Sequence, residues 1–145
     1  MASNFTPSKV FTGAGKAWLD GDLLFEAKAL QASVEIQMEA VPQGGQLADG
    51  QRMIGFSGSG TLRMHKVSSR MKRLMSDALK RGENPSFEIV SELTNTATGK
   101  AERETLKEVQ FTTLALVNWE LKTLLEEEFP FVFRDWTLND TVSEE

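Results

Sequence analysis

The stretch that most constrains this 145-residue chain is an eleven-residue alternation. Leu30, Ala32, Val34, Ile36, Met38 and Ala40 take every second position, with Gln31, Ser33, Glu35, Gln37 and Glu39 between them. An α-helix would scatter those apolar side chains around its circumference, whereas a strand places them on one face. The segment therefore reads as a strand with one buried face. It is longer than the ~5–6 residues usual for a strand, so it is expected to bend or to project beyond its sheet.

The flanking residues extend a β reading in both directions. Trp18-Leu19-Asp20-Gly21-Asp22-Leu23-Leu24 places Asp-Gly between apolar residues, the signature of a two-residue hairpin turn with positive φ at both central positions. Val41 to Gln51 carries Pro42, Gly44, Gly45 and Gly50 and reads as a loop. Beyond it Ile54, Phe56, Leu62 and Met64 share one parity with Gly58 and Gly60, opposite Ser57, Ser59, Thr61 and Arg63. Glycines within a strand mark a bulge, a bend or a close backbone approach; here a barrel corner is expected.

One helix is clear, from about Ser69 to Arg81. Met71, Leu74, Met75, Ala78 and Leu79 form a single apolar stripe. Ser68 or Ser69 can cap its start, and Gly82 can take the left-handed position after its end. Phe87, Ile89 and Leu93 then alternate with polar residues, and a turn near Asn95 to Gly99 precedes a polar strand-like stretch from Ala101 to Phe111. The segment 114–128 fits two periods. Trp119, Leu121, Thr123 and Leu125 suit a strand, while Val117, Leu121, Leu124 and Leu125 suit a helix, towards which the local pattern leans. Phe129, Phe131 and Phe133 return to strand parity before an acidic end.

The length fits one domain, residues 1–145, with a flexible N-terminal arm over about 1–12 and an acidic C-terminal tail over about 136–145. The first residues lack the basic and apolar regions of a signal peptide, and no apolar run nears the ~20 residues of a membrane-spanning helix. There are no cysteines, which excludes disulfides and thiol nucleophiles, and one histidine leaves little for zinc. No cofactor or metal is expected. A net charge of −5 opposes non-specific attraction to nucleic acid.

Motifs for catalysis fall short. Gly55 and Gly60 have the spacing of a phosphate-binding loop, but Thr61 stands where that loop requires lysine. Gly55-Phe56-Ser57-Gly58-Ser59 lacks the final glycine of a nucleophile elbow, and any Ser–His pair would have to recruit His65. The 21 acidic residues show no distinctive pairing, so an enzyme is not expected. The helix region is locally basic, with Lys66, Arg70, Lys72, Arg73, Lys80 and Arg81 against Asp77. This is either a solvated face or a surface for an acidic partner, which could be a second copy of this acidic chain.

In order along the chain, several segments resemble a known family. They are the Trp18-Leu19-Asp20-Gly21 hairpin, the alternating strand, the glycine-bearing strand leading into His65-Lys66-Val67-Ser68-Ser69-Arg70-Met71, Ala101-Glu102-Arg103, and Phe131-x-Phe133. The sequence is similar to tail tube proteins of contractile phages, defective prophages and R-type (diffocin-like) bacteriocins, relatives of the type VI secretion tube. The resemblance implies a mainly β fold, a small barrel or sandwich with one packed helix, and turns 114–128 into a strand. It implies hexameric rings of this chain stacked into a tube, a surrounding sheath protein, and tape measure, baseplate and terminator partners. DNA would pass through without specific binding, in a virion tail or tailocin particle assembled in the bacterial cytoplasm.

Long strands offer edges that sister copies can extend and a ring can close. Polar strand faces would suit a wet lumen that repels phosphate. Two sets of residues are expected at subunit boundaries. Pro42, Gln43, Gly44, Gly45 and Gln46 would reach a neighbour because ordinary connections run ~4–6 residues. Arg70, Arg73 and Lys80 would offset repulsion between acidic copies. The competing class is a monomeric small barrel binding an oligosaccharide or oligonucleotide, which needs clustered exposed aromatics; most of the twelve aromatic residues (nine Phe, three Trp) fall on apolar strand faces or beside turns.

Overall fold

The computed structural model describes residues 6–45, 47–67 and 69–142. Among them are eight strands: β1 (Gly15–Leu19), β2 (Asp22–Leu23), β3 (Ala27–Val41), β4 (Gly50–His65), β5 (Phe87–Thr94), β6 (Ala101–Phe111), β7 (Glu126–Phe133) and β8 (Asp135–Asp140). One helix, α1 (Arg70–Lys80), lies between β4 and β5. All strand pairs are antiparallel, in the order β2-β1-β5-β6-β7-β4-β3, with β8 also on β6.

Local sequence explains most of these elements. Asp20 and Gly21 take φ of 49° and 88°, both positive as the Asp-Gly turn requires, and Leu19 pairs with Asp22 across it. The alternating strand pairs with β4 over nearly its whole length. At the end of α1, Gly82 has φ +78°, its N–H donates to the Leu79 carbonyl, and the Glu83 N–H donates to that of Ala78. That double bond satisfies two carbonyls the helix leaves open. Ser69 stands at the N-cap without a side-chain bond, and Ser68 lies outside the described residues.

Strand β6 belongs to two sheets. Its first part carries β5 on one side and β8 on the other, and its last two residues pass to β7. The transfer falls at an extra residue between Leu106 and Val109, where Glu108 takes φ +55°. Beside it the β7–β8 chain breaks at Arg134, whose Nε lies 3.5 Å from the Glu108 carboxylate. A bulge that re-aims one strand while its neighbour bends is how a sheet folds over its own core. The outcome is the small β-sandwich with one helix.

The core follows from the apolar parities. Leu62, Ile89, Val109, Phe129 and Phe131 are essentially inaccessible, and Met71 and Met75 bring the helix onto them. Burying side chains of this size stabilises by ~1.5–3 kcal/mol each. Rings run in contact through this core, tilted or edge-on: Phe87 meets Phe111 at 5.5 Å, Phe111 meets Phe131 at 6.0 Å, and Phe131 meets Phe133 at 6.2 Å.

Four expectations need correction. The segment 114–125 is neither helix nor strand; regular pairing begins at Glu126, because Thr112 bonds back to the Pro130 carbonyl and closes the β6–β7 corner early. Its alternation therefore has no strand beside it to satisfy. The acidic stretch expected as a tail belongs to β8 as far as Asp140, since Trp136 and Leu138 stand in register with Leu106 and Glu104. Gly58 and Gly60 mark a close approach rather than a corner. A Cβ on Gly60 would lie 2.2 Å from the Gln31 carbonyl oxygen and 2.6 Å from the Phe131 ring; one on Gly58 would lie 2.5 Å from Phe133. The phenylalanines of β7 occupy the space that side chains on β4 would need. The N-terminal segment, expected to be an arm over 1–12, is tied at Ser8, whose carbonyl accepts from the buried Asn95 amide at 3.0 Å; residues 1–5 lie outside the description.

Candidate assembly surfaces

Strands β3 and β4 outrun their sheet. Strand β7 covers β4 only from Gly58 to His65, so the hairpin continues alone from about Val34 to Ser57. Eight residues per strand make an arm about 26 Å long. Along it the apolar alternation persists beyond the reach of β7. Ile36 pairs with Phe56 and Met38 with Met53, Ile54 being the extra residue between, and all five side chains are more than half exposed. Only the near part of the predicted buried face, Leu30 and Val34, packs on the core. Trp136 of β8 closes the base of the arm, edge-on to Phe56 at 5.6 Å and to Phe133 at 6.3 Å.

The predicted loop residues Pro42, Gln43, Gly44 and Gly45 sit at the tip of this arm, all exposed, with Gly45 at φ +79°. Gln46 lies outside the described residues. Leu47 beside them is wholly exposed.

The second predicted set lies elsewhere. Strands β4 and β6 end, and β5 and β7 begin, at the end of the sandwich that α1 covers, so the helix and the arm tip lie at opposite ends of β4. The structure thus does not bring the two predicted sets together within one chain. Arg73 and Lys80 are exposed and make no ion pair among the described residues. Arg70 has a partner in its own chain, its Nη1 lying 3.1 Å from Glu26 of the turn before β3. That pins the first turn of α1 to the sheet.

Sequence reasoning missed a third surface. In the irregular segment, Leu116, Val117, Trp119, Leu121 and Leu124 are 60–91% exposed. A cleft of about 350 Å³ opens beside the segment, lined by Leu116, Val117 and Trp119 with Lys66, Lys72 of α1 and Glu127. Lys66 pairs with Glu127 across it at 3.5 Å. The two competing periodicities within 114–128 were the available signal: an apolar stretch with no single face commits to no burial.

Elsewhere the polar groups pair locally. The Arg103 guanidinium, which also lies 5.7 Å from the Trp18 ring, bonds Glu92 and holds that carboxyl below its ordinary value. Lys28 does the same to Glu126. Burial, with Glu102 nearby, raises Glu104. Ser57 lies mid-strand in β4, away from any strand-to-helix turn, and the exposed His65 stands opposite Glu126. Among the described residues no group of His, Asp and Glu is arranged to hold a metal.

The described residues thus form an eight-stranded sandwich with a projecting apolar arm and a one-helix cap. The chain belongs to the phage tail tube protein family, whose model matches residues 4–140. It is 32% identical over 132 residues to the phage-like element PBSX protein XkdM of Bacillus subtilis (strain 168), covering 90% of each chain. Its fold is similar to a chain of the anti-feeding prophage tube-terminating cap, with TM-score 0.74 and 10% identity over 97% of this chain and 95% of that one. It is also similar to a chain of the sheath–tube complex of the extracellular contractile injection system PVC in its extended state (TM-score 0.67, 10% identity, 88% of each). The protein is a structural component of a phage-type tail particle.

Proposed function

We propose that this chain is the tube subunit of a contractile tail, and that its copies close into hexameric rings stacking into a hollow conduit within a sheath. The observation that carries this is the arm: an isolated subunit would leave its apolar face wet, and solvating so many large side chains is disfavoured unless another surface covers them. Exposed strand edges alongside it offer backbone partners to sister strands, which a closed ring would satisfy. The opposite face of β3, with Gln31, Ser33, Glu35, Gln37 and Glu39, suits a wet wall along which DNA or another cargo slides without sticking. In this reading Pro42 to Gln46 at the tip and Arg70, Arg73 and Lys80 on the helix lie at or near subunit boundaries. The work is mechanical and needs no catalytic residue or cofactor. Sheath, tape measure, baseplate and terminator proteins are its other partners, and assembly takes place in the bacterial cytoplasm.

Electron microscopy of the purified protein at high concentration tests the proposal, with rings or tubes expected. A variant with Pro42–Asp49 replaced by a two-residue turn should stay folded and give none. A stable monomer at millimolar concentration in light scattering, with bare grids, would overturn it.

A further inference from the structure

The chain has no cysteine, so its six methionines carry all of its sulfur, and the fold sorts them by exposure. Met64, Met71 and Met75 belong to the core and are 1–3% exposed. Met38 and Met53 stand on the arm, 51% and 56% exposed, and Met1 lies outside the described residues. The two on the arm are direct cross-strand partners, so their side chains share one face with Cβ atoms about 5 Å apart. The next pair along that face is Ile36 and Phe56, which offers no hydrogen-bond donor from its side chains.

We propose that Met38 and Met53 form a selective oxidation site, through which a peroxide turns the arm from apolar to polar while the sandwich stays folded. In the step, the thioether sulfur attacks one oxygen of hydrogen peroxide. An S–O bond forms, the O–O bond breaks, and the departing hydroxide takes the proton of the transferred oxygen and leaves as water. Sulfur loses two electrons and the peroxide gains them. Access decides which thioethers react, and the three core sulfurs are shut off from the oxidant. The product is a polar, hydrogen-bond-accepting group in place of a flexible apolar one. Two such groups side by side put acceptors without donors in the middle of the arm's apolar face, which makes covering that face costly. The effect on assembly rests on the tube reading above, in which the arm is covered, and it holds whatever surface does the covering. Oxidation would then stop free subunits from joining. Sulfoxide reduction reverses the step, so the arm can be restored.

The purified protein is treated with hydrogen peroxide, digested and read by mass spectrometry, and a portion is imaged on grids. Met38 and Met53 should each gain one oxygen at a rate on the order of tenfold above Met64, Met71 and Met75, following their exposures. Core methionines that oxidise as fast would overturn the selectivity. The oxidised protein should melt as the untreated one does and lose its rings, and methionine sulfoxide reductases should bring them back. A Met38→Leu, Met53→Leu variant keeps the face apolar and removes both sulfurs, so it should form rings before and after peroxide. Rings from protein oxidised at both positions, or peroxide blocking that variant as well, would overturn the switch and leave the tube reading standing. No rings from untreated protein would overturn the tube reading and the switch with it, and the oxidation site would then stand or fall on the digest alone.

Discussion

The two halves of the β3–β4 hairpin obey the same sequence rule and meet different fates. In the near half Leu30 faces Leu62, and Ala32 and Val34 face Gly60 and Gly58, over which Phe131 and Phe133 lie. In the far half Ile36 faces Phe56 and Met38 faces Met53 with no third strand across them. Leu62 is fully buried, whereas Ile36 is 57% exposed. The alternation thus specifies which face is apolar and leaves open what covers it. The cover is decided by a strand far away in the chain, β7, which runs beside β4 only as far as Phe133. One half of the hairpin belongs to the core of the subunit, and the other is left uncovered by its sheet.

The sharpest way to break that division is to cut into the near half. Phe131→Ala removes a buried ring from the middle of the aromatic series, and losses of this kind cost ~3–5 kcal/mol. Chemical denaturation should show a large fall in midpoint. Gly60→Ala is the complementary test. Its Cβ would press on the Gln31 carbonyl and the Phe131 ring, and overpacking costs ~1–3 kcal/mol. A Gly60→Ala protein as stable as wild type would show that the glycine is not needed for that close approach.

The far half should respond in the opposite way. Ile36→Ser and Met38→Ser should leave the subunit within about 0.5 kcal/mol of wild type, as surface substitutions do, because more than half of each residue is already exposed. Their effect should appear in electron micrographs as missing rings. Phe56→Ser should cost the subunit about 1 kcal/mol more, from its edge-on contact with Trp136. If the Ile36→Ser, Met38→Ser double variant unfolds early yet assembles at permissive temperature, the assignment of the two halves is reversed.

Much of the fold was legible because its signals are local. The Asp20-Gly21 turn, the parity of Phe129, Phe131 and Phe133, and the helix with its Gly82 stop each depend on a few neighbouring residues, and each appears where the sequence places it. The tip loop was legible for the same reason. What the sequence hid are relations between distant segments. The shared strand β6 turns on Glu108 in a left-handed conformation, which neither its type nor its neighbours announce. Segment 114–125 carries exposed apolar residues without a regular element, and neither of its two competing periods announces that outcome. Arg70 looked like its neighbours Arg73 and Lys80, but its partner, Glu26, is 44 residues away.

That last difference divides the basic helix as the hairpin is divided. Arg70→Glu should destabilise the subunit by about 1–2 kcal/mol, since it breaks a partly covered pair and sets two carboxylates together. Arg73→Glu should leave thermal melting within about 0.5 kcal/mol and act on assembly alone. High salt should likewise weaken wild-type assembly while sparing the melt, because exposed charges are screened first. Equal melting losses for the two variants would remove the distinction.

The smallest effect separates the paired carboxylates from the crowded one. Glu92 and Glu126 are held below their ordinary value by Arg103 and Lys28, so their contribution to stability is present above about pH 4.5 and fades as pH falls below it. Glu104 runs the other way. Partial burial, with Glu102 two residues along β6, raises it, so at neutral pH its charge opposes folding and protonation relieves the cost as pH falls towards 4.5. Glu104→Gln should therefore raise the melting temperature at pH 7, by no more than about 0.5 kcal/mol of stability given solvent screening. At pH 4, where the wild-type carboxyl is already largely protonated, the two proteins should melt together. Arg103→Gln should show the converse, losing stability at pH 7 and converging with wild type in acid. A Glu104→Gln protein that gains equally at both pH values would mean that the side chain's shape, and not its charge, sets the cost on β6.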